Sequence, residues 1–87
     1  MDGLELMARR FPERAWDMQR LNLRDAAFRS VCEDYGEARR ALEHWQSAGD
    51  SSHPRIEEYR RLSRELEEEA LALLQGQGMR EGQAGYR

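Results

Sequence analysis

Phe28, Val31, Tyr35, Ala38, Leu42 and Trp45 recur at steps of 3, 4, 3, 4 and 3. That spacing places all six on one stripe of an α-helix, and Cys32 and Ala41 widen it. A helix with such a stripe must be covered, so the rest of the chain is read as what covers it. Asp25 supplies the N-cap, because its carboxylate can accept from the first free backbone N–H groups. The helix is predicted over 25–47, about 34 Å long at 1.5 Å per residue. Gly36 lies inside it and weakens it by roughly 1 kcal/mol relative to alanine. The missing side chain would also let a second helix approach closely.

Ala48-Gly49-Asp50-Ser51-Ser52-His53 is the clearest break. Gly49 suits a left-handed C-cap, Ser52 or His53 an N-cap, and Pro54 the first helical position. A connection this short predicts antiparallel neighbours. The next helix is predicted over 54–75, with Ile56, Tyr59, Leu62, Leu66, Ala70, Leu73 and Leu74 as its apolar stripe. Glu57 with Arg61, and Arg64 with Glu68, are expected as pairs one turn apart on its outer face. Glycines at 76, 78, 82 and 85 lead to the expectation of a disordered tail over 76–87.

Before the central helix, Pro12 suits the first turn of a short helix over 12–21, whose stripe is Ala15, Met18 and Leu21. Asn22-Leu23-Arg24 reads as a joint. Leu4, Met7 and Phe11 share helical spacing, but Pro12 interrupts, so residues 1–10 are read as a frayed arm. The predicted fold is all-α: an antiparallel, coiled-coil-like two-helix hairpin over 11–75, with a short N-terminal helix docked at one end. Phe28, Val31, Tyr35, Leu42 and Trp45 of the first long helix are expected to face Tyr59, Leu62, Leu66 and Leu73 of the second.

Composition narrows the function classes. The chain has 87 residues, 36% of them charged, and a mean hydropathy of −0.98. A chain this short closes only a modest core and gains from pairing with a second copy. The net charge is −3, and neither long segment is basic, which argues against a nucleic-acid partner. All 14 basic residues are arginine, a feature of coding composition or of guanidinium recognition of phosphate and carboxylate. One cysteine allows no intrachain disulfide, which fits a reducing compartment. There is no apolar run of transmembrane length, and Asp2 and Glu5 stand where a signal peptide needs bases, so the cytoplasm is the expected location.

No pattern carries catalysis, a cofactor or a metal. Cys32, His44 and His53 lack ligand spacing. Glu65, Glu67, Glu68 and Glu69 come from one helix and read as a solvated face. The arginines at 9, 10 and 14, and at 60, 61 and 64, point to different sides of their helices and are interleaved with acids. Ser30, Ser63 and Cys32 have no histidine–acid partners in sequence context. The expectation is therefore a non-catalytic protein–protein interaction module whose partner is itself, as a homodimer, or another helical protein. The alternative is a nucleic-acid-associated regulator that uses arginine.

Phe11-Pro12-Glu13, then Met18 and Leu21, then Asp25, Phe28, Val31, Cys32, Tyr35 and Leu42 together resemble the YdcH-like family of small bacterial proteins. Leu66, Glu68, Glu69, Ala70, Leu73 and Leu74 are similar to the close of that family's second helix. The resemblance covers roughly residues 11–75. It implies a cytoplasmic helical hairpin and adds no biochemical activity. Glu65 and Glu67 depart from the family's basic pattern in that helix.

Overall fold

The computed structural model describes residues 2–49 and 52–86, with side chains of the second stretch through 76. The chain is all-α. In order come α1 (Gly3–Arg10), a 3₁₀ turn (Pro12–Arg14), α2 (Ala15–Arg24), α3 (Ala26–Ser47) and α4 (Pro54–Tyr86). No described helix is long and apolar enough to cross a membrane. The molecule measures 55 × 21 × 21 Å. Its length follows from α4, and its width is that of two helices side by side.

The ends of α3 are set by local chemistry. The Asp25 carboxylate accepts from the N–H groups of Ala27 at 2.9 Å and Phe28 at 3.2 Å. At the other end Gly49 takes φ = 92°, the left-handed conformation that glycine adopts freely. Pro54 opens α4, and His53 caps it: Nδ1 accepts from the Arg55 N–H at 3.1 Å.

One core unites Phe28, Val31, Cys32, Tyr35 and Ala38 of α3 with Leu66 and Ala70 of α4, Met7 of α1, and Met18 and Leu21 of α2. On α4 the seam toward α3 has a seven-residue repeat: Ile56, Ser63 and Ala70 in one row, Tyr59, Leu66 and Leu73 in the next.

The N-terminal arm is corrected: Gly3–Arg10 form a helix. Asp2 caps it by accepting from the Glu5 N–H at 2.8 Å, and Met7 is fully buried. Pro12 therefore starts the next turn without disturbing the previous helix. The short helix over 12–21 is a 3₁₀ turn followed by α2, which continues through the expected joint to Arg24. Its last turn holds because the Asp25 N–H donates to the Leu21 carbonyl at 2.9 Å.

Leu62 does not join the seam: it is 39% exposed, and Ser63 is buried in its stead. One residue is 100° of helix, so whichever of the two faces α3 turns the other outward. Glu57 pairs with Arg60 at 3.7 Å and Arg64 at 3.8 Å, in place of the expected pairs. The backbone of α4 runs past residue 75 to Tyr86, and the side chains of the expected tail lie outside the described residues.

Candidate interaction surface

Three helices meet at one polar node. Tyr35 of α3 donates its hydroxyl to Glu67 Oε2 of α4 at 2.6 Å, and Arg10 Nε of α1 approaches the same oxygen at 3.4 Å. The Arg10 guanidinium also lies 4.7 Å from the Phe11 ring centroid. Burial, and then the hydrogen bond to Glu67, hold the Tyr35 hydroxyl well above the usual tyrosine range. Burial, aided by the carboxylates of Asp2 and Glu33, pushes the Cys32 thiol up to about 11. Both groups stay protonated at neutral pH, so neither is an activated nucleophile.

Beside this node lies an open depression of about 410 Å³, lined by Leu6, Arg9, Arg10, Tyr35, Arg39 and Glu67. Reading along the helices scatters these arginines; the crossing of α1 over α3 gathers Arg9 and Arg10 with Arg39. The Arg9–Glu5 ion pair, at 3.9 Å and exposed, contributes little to stability.

At the loop end, Trp45 stacks on His53 with ring centroids 4.3 Å apart and planes 22° apart, while His44 meets Trp45 edge-on at 5.4 Å. The two histidines thus pack around an indole, and His53 also serves as the helix cap. Among the described residues no three of His, Cys, Asp and Glu are grouped as metal ligands would be.

Of the residues assigned from the sequence, Phe28, Val31, Tyr35 and Leu66 come together in the core, and Leu42 is buried. Tyr59 and Leu73 pack on the core from its edge, and Trp45 is half-buried. Leu62 faces solvent with Trp16, 67% exposed, and Leu23, 83% exposed. Trp16 and Leu23 are seven residues apart on one face of α2, and the Arg20 guanidinium between them lies 4.8 Å from the Trp16 ring centroid.

Sequence reasoning missed four residues that shape this end of the molecule: Gly3, Met7, Arg10 and Glu67. The 3–4 spacing of Leu4, Met7 and Phe11 was a signal for Met7. Nothing local signalled the others, since their partners lie on different helices. No family model, curated protein or solved structure matches the chain.

Proposed function

We propose that this chain is a non-catalytic, helical protein–protein interaction module of the cytoplasm. Its scaffold is an antiparallel, coiled-coil-like hairpin of α3 and α4, with α1 and α2 docked at one end. Two pairings support that arrangement. Tyr35 reaches Glu67 from mid-α3, and Trp45, near the end of α3, stacks beside the start of α4. Resemblance to the YdcH-like family of small bacterial proteins is part of the reading and rests on the run from Phe11 to Leu74.

One observation carries the interaction role. The core closes without Trp16, Leu23 and Leu62, which stand in solvent on the outer faces of two helices. Large apolar side chains ringed by charge are the composition of a contact surface. Light scattering on a sizing column gives the absolute mass across concentration, and capture from native extract compares wild-type bait with Trp16→Glu bait. The reading predicts either a mass above 10.2 kDa or a protein retained by wild type and lost by the variant. A monomer whose two baits retain the same proteins contradicts it.

The depression lined by Arg9, Arg10 and Arg39 favours a second reading, the arginine-based nucleic-acid regulator. Phosphate contacts lose affinity steeply with added salt, whereas apolar helix packing does not. Retention of duplex DNA or RNA at low salt, abolished by Arg39→Glu, would support this reading over the first.

A further inference from the structure

Resting on the interaction-module reading, we infer that the occupant of the exposed faces is a second copy of this chain. The two copies are related by a two-fold axis, and α2 of each lies on the outer face of α4 of the other. Each chain carries two unlike faces. On α2, Trp16, Arg20 and Leu23 are exposed at i, i+4 and i+7, an apolar strip with a guanidinium over its indole. On α4, Arg55, Glu58, Leu62, Glu65 and Glu69 are exposed at i, i+3, i+7, i+10 and i+14, an apolar knob beside three carboxylates and one guanidinium.

The faces complement each other twice. Leu62 offers the apolar contact that Trp16 and Leu23 lack, and the glutamates offer charge opposite to Arg20. Both faces are exposed on the same molecule, so they are not spent on each other within the chain. A contact made once between copies leaves one face of each kind bare; made reciprocally about a two-fold axis, it closes. Such a pair covers Trp16, Leu23 and Leu62 of each copy at once.

Sedimentation equilibrium of the full chain from about 1 μM to about 1 mM tests this over the range of a specific dimer. Wild type is expected to reach twice 10.2 kDa. Arg20→Glu and Glu65→Arg are each expected to weaken the dimer about tenfold or more, because both contacts then set like charges together. An equimolar mixture of the two variants is expected to recover wild-type affinity within about threefold, since one contact reverses both charges and the other is unchanged. These residues are exposed, so circular dichroism should show unaltered helix in each variant. A wild-type monomer at every concentration overturns the pairing, and the wider reading then rests on the capture experiment alone. A mass growing past two copies overturns the two-fold closure. A dimer unmoved by Trp16→Ala with Leu23→Ala, or variants that fail to rescue each other, places the interface elsewhere and leaves the module reading standing.

Discussion

Gly3 and Gly36 are in backbone contact where α1 crosses α3. A methyl group placed on Gly36 would stand 3.1 Å from the Gly3 Cα, and one placed on Gly3 would overlap the Cys32 carbonyl oxygen. The obstacle to a side chain at residue 3 is backbone inside a long helix, which has nowhere to move. Gly3→Ala is therefore expected to lift α1 from α3, uncover Met7 and destabilise the fold by about 2–3 kcal/mol. Gly36→Ala is expected to cost less, because removing a mid-helix glycine returns roughly 1 kcal/mol of helix propensity. Urea melts rank the two, and hydrogen exchange on α1 shows whether the helix has detached. Equal and negligible effects would mean that α1 is not held by this crossing.

Ser63 is buried on the seam of α4, and its hydroxyl has no protein hydrogen-bond partner. A buried, unpaired hydroxyl costs on the order of 1–3 kcal/mol, and alanine keeps most of the volume. Ser63→Ala should raise stability by about 1 kcal/mol, read as a later urea midpoint at unchanged slope. A loss of stability would show that the hydroxyl is bonded to a trapped water.

The same serine explains what the sequence concealed. A tally of apolar residues selects Leu62 for the seam, whereas the seven-residue row of Ile56 and Ala70 selects Ser63, and packing favours the small residue. Elements set by neighbours in sequence were legible: the Asp25 cap, the φ of Gly49, and the His53-Pro54 start of α4. Elements set by distant partners were not. Gly3 against Gly36 joins residues 33 apart, and the Tyr35–Glu67 bond joins residues 32 apart. The exposed surface was not legible: apolar spacing assigns Leu62 to the core, and Leu23 lies in a stretch that reads as a joint, yet both are exposed.

The chain contains no lysine, so between pH 9 and 11 its side-chain titration is carried by cysteine and tyrosine. Cys32 is raised to about 11 in the fold, and Tyr35 is raised by burial and by Glu67. In this window the unfolded chain binds fewer protons than the native one, so stability is full below about pH 9 and falls as pH rises. Urea midpoints measured from pH 8 to 11 should decline. Cys32→Ala combined with Tyr35→Phe should flatten the decline while lowering the starting value. An equally steep decline in the double variant would mean that neither group is protected by burial.

Leu66 and Leu62 are the same residue type one turn apart on α4, one buried and one 39% exposed. Truncation at Leu66 opens a cavity in the shared core, and Leu66→Ala should cost about 2–4 kcal/mol. Leu62→Ala shortens a side chain that is 39% exposed and outside the core, and should cost about 1 kcal/mol or less when measured on dilute protein. Phe28, fully buried where α3 receives the other helices, sets the upper bound: Phe28→Ala should cost about 3–5 kcal/mol, enough to unfold a domain of this size. Thermal melts by circular dichroism give all three. Dilution matters because Leu62 belongs to the proposed dimer face, so at high concentration Leu62→Ala should lose stability that it does not lose when dilute. If Leu62→Ala proved as costly as Leu66→Ala at every concentration, Leu62 would belong to the monomer core and α4 would be rotated by one residue.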